Sequence, residues 1–210
     1  MNNTELTFSE LIYLYAQKYV PEASFLQNKE ELPNGIKLNV IKLGNLTAEA
    51  AFAYLYLNGY IELKQDTKKV LGIFPKKIIT ATRKGDGSNL SSLEKAIYDL
   101  SDSTDVYMIM VRLIGEECTV PWAVVTGFVK ESLVNKEFYI KETIVKKIII
   151  EYKTYKYYLN TAKNSNFDKE KAEMDAKLKE FAQKDFYRLL VASVSAGINA
   201  QKEKSDTSSD

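Results

Sequence analysis

The apolar positions of this chain follow two different periods, and one succession of blocks occurs twice. Residues 46–58 are apolar on nearly every side, with Leu46, Ala50, Ala51, Phe52, Ala53, Leu55 and Leu57 flanking Tyr54 and Tyr56. A helix of that kind is buried rather than laid on a surface. It stops at Asn58-Gly59, where Tyr60–Leu63 starts a strand-like alternation answered by Lys77–Thr82 across a charged turn at Lys64–Lys69. Residues 121–135 repeat the helical half, with Pro121 at the start and Trp122, Val125, Phe128, Val129 and Leu133 at three- and four-residue spacing. Residues 138–159, rich in Ile, Val, Tyr and Thr, repeat the hairpin half.

The flanking segments read mostly as helices. Thr7-Phe-Ser-Glu10 has the form of a capping box and opens a helix that Pro21 ends or kinks. Residues 22–45 read as a long loop with a short strand at Ile36–Ile41. Ser91-Ser-Leu-Glu94 is a second capping box before the helix Leu93–Leu100, and a further helix runs from Val106 to Ile114 and stops at Gly115. Helices at Asp168–Lys184 and Phe186–Ile198 follow. The expected fold is mainly α, a helical bundle with two β-hairpins in winged-helix-like helix–hairpin units. It is one domain over residues 1–200, with a disordered polar tail over 201–210.

Composition narrows the chemistry. Of 210 residues none is histidine and one, Cys118, is cysteine, so the commonest general base and the usual zinc ligands are missing. Lys84-Gly-Asp-Gly-Ser88 lacks the spacing of a phosphate-binding loop, and Glu116-Glu117 and Asp102/Asp105 do not have the form of paired catalytic carboxylates. The expectation is a protein without enzymatic activity, cofactor or metal. Lys and Arg total 29 against 28 Asp and Glu, and three of the 29 are arginine, so no overall field draws the chain to nucleic acid. No run reaches the ~18 apolar residues a bilayer span needs. The start, MNNTELTFSEL, lacks a signal-peptide pattern, which predicts a cytoplasmic protein whose membrane attachment is peripheral.

Helix followed by hairpin is the order of a DNA-binding winged helix, whose recognition helix needs exposed basic side chains. Helix 46–58 has no Lys or Arg, and helix 121–135 has only Lys130. A tandem winged-helix module acting on nucleic acid or as a protein-interaction scaffold is the alternative reading; nucleic-acid binding is not expected.

Several short phrases, in order, resemble the Golgi phosphoprotein 3 family. They are Leu6-Thr-Phe-Ser-Glu10 at the first helix and Leu55-Tyr-Leu-Asn-Gly59-Tyr-Ile-Glu-Leu63 at the end of the buried helix. Gly85-Asp86 with Leu90-Ser-Ser-Leu-Glu94-Lys-Ala96 follows, then Leu113-Ile-Gly115-Glu116 with a displaced Trp122, and Leu133-Val-Asn-Lys136. The likeness covers residues 6–142 and is loose beyond. It implies a mainly helical fold with a projecting hairpin and no catalysis. It also implies a peripheral membrane adaptor that binds phosphatidylinositol 4-phosphate and the cytosolic tails of membrane proteins. The positions matching the family's lipid pocket are Asn39, Ala48, Ala123 and Thr126, none of them an arginine.

The candidate membrane-contacting residues therefore lie in the second hairpin: Lys146, Lys147, Ile148, Ile149, Ile150, Tyr152, Lys153 and Lys156. Isoleucine and tyrosine side chains entering the interface, with lysines at the headgroups, give weak binding to an anionic surface. The alternative for the same residues is packing on the core or on a second copy, which makes a homo-oligomer through 138–159 the other expectation.

Overall fold

Eighteen residues, Val40–Leu57 (α2), form the helix on which the others pack, and ten of them are buried. In the computed structural model the full order is α1 (Phe8–Leu14), a 3₁₀ turn (Ala16–Lys18), β1 (Lys29–Glu31), β2 (Lys37–Asn39), α2, β3 (Ile61–Val70), β4 (Phe74–Arg83), α3 (Ser92–Leu100) and β5 (Thr104–Asp105). After these come α4 (Val106–Ile114), α5 (Pro121–Asn135), β6 (Tyr139–Lys147), β7 (Glu151–Leu159), a second 3₁₀ turn (Thr161–Lys163), α6 (Asp168–Phe181) and α7 (Tyr187–Thr207). The structure describes residues 5–25, 27–70, 74–115, 118–147, 151–163 and 166–207, with backbone alone for 70, 151, 152 and 201–207. Helices are in the majority. The strands make three small antiparallel sheets, β1–β2, β3–β4–β5 and β6–β7.

α2 touches α1, α3, α5, α6 and α7 as well as β2 and β3, so most of it is covered, while Lys42 in its first turn is exposed. Its alanines Ala48, Ala50, Ala51 and Ala53 let neighbouring helices approach, while Phe52 and Leu55 fill the spaces between them. Each large apolar side chain buried in this way contributes roughly 1.5–3 kcal/mol. Tyr56 stacks edge-on against Phe186 and lies 5.5 Å from Phe181, which fastens the α6–α7 end of the chain to α2. Gly59 closes the helix with φ +74°, a conformation other residues adopt at a cost.

Several boundaries differ from the sequence expectation. α2 begins at Val40, six residues before Leu46, because Asn39 caps it by accepting the Lys42 N–H at 3.0 Å. Gly44, inside the expected loop, is helical: a Cβ there would lie 2.8 Å from the Trp122 Cβ, so α2 and α5 cross closely at this point. The rest of the expected loop holds the β1–β2 ribbon. α1 ends at Leu14, well before Pro21. The expected charged turn Lys64–Lys69 is strand, paired from Lys64↔Thr80 to Lys69↔Pro75. α7 continues through Gln201–Thr207, where a disordered tail is expected; Gln201, Lys202, Glu203 and Lys204 are all good helix formers.

A buried polar cluster joins α1, α3 and α5. The capping box at Thr7 forms as the sequence predicts, with the Thr7 N–H donating to Glu10 at 2.7 Å. The Glu10 carboxylate also accepts from Ser132 Oγ at 2.5 Å and Lys136 Nζ at 2.8 Å. Glu94 departs from its expected role. Ser91 makes no side-chain cap bond; instead Glu94 turns into the core and accepts from Ser9 Oγ at 2.6 Å. Burial, and then the nearby Glu10 charge, push its carboxyl up to about 7. Burial likewise raises Glu49 to about 7, against the Tyr187 hydroxyl that donates to it.

Gly44→Ala and Gly197→Ala each force backbone or Cβ atoms apart, since a Cβ at Gly197 would sit 2.6 Å from the Tyr107 carbonyl. Each substitution is expected to cost about 1–3 kcal/mol in urea unfolding. Glu94 and Glu49 hold their protons more tightly in the fold than in the unfolded chain. Their contribution is therefore complete below about pH 4.5, the ordinary carboxyl value, and is lost as pH rises towards 7. Glu94→Gln is expected to flatten that decline, by about 3 kcal/mol between pH 4.5 and 8; an unchanged pH profile of unfolding contradicts the assignment.

Candidate functional site

β6–β7 is held at its base and free at its far end. Tyr139 is buried under the hairpin, edge-on to Tyr13 at 6.2 Å. Glu131 of α5 clamps both strands, accepting from Lys141 Nζ of β6 at 2.5 Å and from the Tyr157 hydroxyl of β7 at 2.9 Å. Burial opposes ionisation of Glu131, but these two donors hold its carboxyl below the usual range. Burial and the bond to Glu131 raise the Tyr157 hydroxyl well above its ordinary value. Asn160 Nδ2 donates to the Glu137 carbonyl at 2.8 Å, and Lys163 Nζ to the Lys136 carbonyl at 2.6 Å, which closes the base.

Beyond the clamp the ribbon is exposed. Register runs from Tyr139↔Leu159 to Lys147↔Glu151, and directly opposed residues share a face. Lys146 and Lys156 therefore lie on one face together with Tyr152, and Lys147 and Lys153 on the other. The four predicted lysines surround the ribbon instead of forming one patch, and all four are exposed. Ile148, Ile149 and Ile150 lie outside the described residues, and Tyr152 is described by its backbone alone. Lys156 sits 5.5 Å from the Tyr158 ring.

The sequence reading overlooked the apolar residues nearer the base. Ile140, Val145, Tyr155, Tyr158 and Leu159 are exposed, five of the eight exposed large hydrophobics among the described residues. Apolar residues at both odd and even positions of β6 and β7 are the signal for them: such a two-sided ribbon exposes one set unless both faces are covered.

A groove of about 510 Å³ runs between β7 and the Glu30–Gly35 turn, lined also by Lys130, Lys146, Lys156 and the tyrosines 155, 157 and 158. Its acids are already neutralised. Glu30 accepts from Lys130 Nζ at 2.7 Å and from the Tyr13 hydroxyl at 2.8 Å, and Glu31 pairs with Lys37 at 3.5 Å. Lys146 and Lys156 make no ion pair among the described side chains, which leaves the groove cationic at the hairpin side.

The four positions carried over from the family's lipid pocket do not assemble an anion site. Asn39 is spent on the α2 cap, Ala48 is buried, and Ala123 supplies a carbonyl to the Thr126 hydroxyl. Thr126 Oγ1 also faces the Glu30 carboxylate at 3.4 Å. A phosphate at this place would meet a carboxylate that is already there. Among the described residues no group of three or more His, Cys, Asp or Glu is placed to hold a metal ion, and no helix is long and apolar enough to cross a membrane.

No protein-family model matches the chain, and neither the curated proteins nor the solved structures include a match.

Glu131→Ala removes the acceptor shared by Lys141 and Tyr157, each worth of order 1 kcal/mol or more as a bond to a charged group. Amide hydrogen exchange in β6 and β7 is expected to speed up about tenfold or more, while that of α2 stays unchanged. Uniform acceleration across the chain, or none, contradicts the clamp.

Proposed function

We propose that the protein is a non-enzymatic peripheral membrane adaptor whose β6–β7 hairpin touches an anionic lipid surface, and which also takes cytosolic tails of membrane proteins. The observation that carries this reading is the composition of the free ribbon. It concentrates exposed Ile140, Val145, Tyr155, Tyr158 and Leu159 among Lys146, Lys147, Lys153 and Lys156 on an element anchored only at its base. Interleaved aromatic and cationic side chains suit the bilayer interface, where rings sit at headgroup level and each lysine adds about 1 kcal/mol against a charged leaflet. The cationic groove beside β7 adds hydroxyl and ammonium donors for a headgroup phosphate.

Two helix–hairpin units, α2 with β3–β4 and α5 with β6–β7, are read here as winged-helix-like in order. In neither is the helix suited to a nucleic-acid groove. α2 is mostly buried and carries one basic side chain, the exposed Lys42 of its first turn, and Lys130, the one lysine of α5, is committed to Glu30. The resemblance to the Golgi phosphoprotein 3 family agrees with the adaptor reading. Without arginines at its lipid-pocket positions, the surface favoured here is anionic lipid in general.

In co-sedimentation at low salt, the protein is expected to bind phosphatidylserine-containing vesicles. Changing Lys146, Lys147, Lys153 and Lys156 to Glu is expected to weaken that binding by a factor of about 10³ or more, at ~1 kcal/mol per lysine. Absence of binding to every anionic vesicle tested would sink the proposal.

A further inference from the structure

We infer that the far half of the β3–β4 hairpin is a second contact for an anionic membrane, built from Phe74, Lys68 and Lys76. This rests on the membrane reading of β6–β7 for the identity of the surface, but it concerns a different element: β4 packs on α4 and α7, whereas β6 packs on α5. The register places Lys68 directly opposite Lys76, and Phe74 projects from the same face two residues further along β4. Like charges directly opposed on an antiparallel ribbon are destabilising. Lys69 and Lys77 add two exposed lysines to the other face.

One acid among the described residues of the far half stands against these four lysines. Among the described side chains none of the four lysines makes an ion pair; Lys76 lies over the Tyr107 ring at 5.8 Å, which leaves its charge in place. Asp66 is the single acid among the described residues of the far half, and its carboxylate accepts from the Thr67 N–H at 2.7 Å. Phe74 is 64% exposed, the most exposed of the large hydrophobic residues described on either hairpin.

The order of residues along the ribbon identifies the complement. Counting outward from the core, the buried Ile79 comes first, then the lysines, then Phe74. A charged layer with an apolar residue beyond it matches a headgroup layer over hydrocarbon. A single-stranded nucleic acid would neutralise the lysines too, but it is held by several aromatic platforms set among the cations, on which successive bases stack. The described far half carries one ring, beyond the lysines. Headgroup phosphates between Lys68 and Lys76 would also relieve their mutual repulsion, and Phe74 would enter the interface.

The test is co-sedimentation of the full chain with vesicles of phosphatidylcholine and phosphatidylserine, with phosphatidylcholine vesicles and single-stranded polyuridylate as parallel probes. Lys68→Glu/Lys76→Glu is expected to weaken binding to the anionic vesicles at least about 30-fold. Phe74→Ser, which leaves every charge in place, is expected to weaken it as well, with unchanged circular dichroism for both variants. Full binding by both variants, alongside loss in the Lys146/Lys147/Lys153/Lys156 variant, overturns this inference and leaves the β6–β7 reading standing. Loss in the β3–β4 variants alone supports this inference and removes the β6–β7 reading. Equal binding to neutral vesicles, or binding to polyuridylate without binding to vesicles, overturns it.

Discussion

The enclosure of α2 is the constraint from which the rest of this structure follows. A helix touched by five others and by two strands must be apolar over most of its surface, and it must be narrow where a neighbour crosses it. Its alanines and Gly44 meet the second demand. The crossing at Gly44 and Trp122 then sets how closely α5 lies, and with it where β6–β7 leaves the body of the protein. On the other side α2 runs through Gly59 into β3, so the position of the first hairpin depends on the same helix.

The second determinant is electrostatic. Glu10 and Glu94 are both inside, and charges inside need partners. Glu10 has an ammonium, a hydroxyl and a backbone N–H, so the pair it forms with Lys136 ties the first helix to the end of α5. Glu94 has hydroxyl donors, its own backbone N–H and a carboxylate for a neighbour, and its burial holds the proton instead. One cluster thus gives its two carboxyls different partners, an ammonium for Glu10 and hydroxyls beside a carboxylate for Glu94. The same logic recurs at Glu30, where Lys130, Tyr13 and Thr126 converge on a single carboxylate below the hairpin.

With the interior accounted for in this way, the surface features that stand out are the two ribbons. Both begin with buried residues at their bases and carry exposed lysines in their outer parts, with exposed large apolar side chains along them, and both are paired along their full described length. Over the far half of each ribbon most of the described side chains are exposed. Exposed apolar residues are ordinary when scattered, but here most of those among the described residues fall on these two elements. Hairpins supported only at their bases are suited to meet a surface, because contact there disturbs none of the helix packing.

Periodicity along the chain already distinguished helix from hairpin at both repeats, named Thr7 and Glu10 as a cap, and marked Gly59 and Gly115 as helix ends. These are local properties: the residues that determine them are neighbours in sequence. What only the tertiary structure decided involves partners far apart. Gly44 reads as a loop residue until Trp122, 78 positions away, is seen against it. Glu94 reads as a capping residue until Ser9 and Glu10 draw it inward. The lysines of the second hairpin read as neighbours in sequence until the register divides them between two faces. Sequence spacing determines which residues share a turn of helix or a side of a strand. It does not determine which distant surface completes a hydrogen bond, excludes a Cβ or leaves a face uncovered.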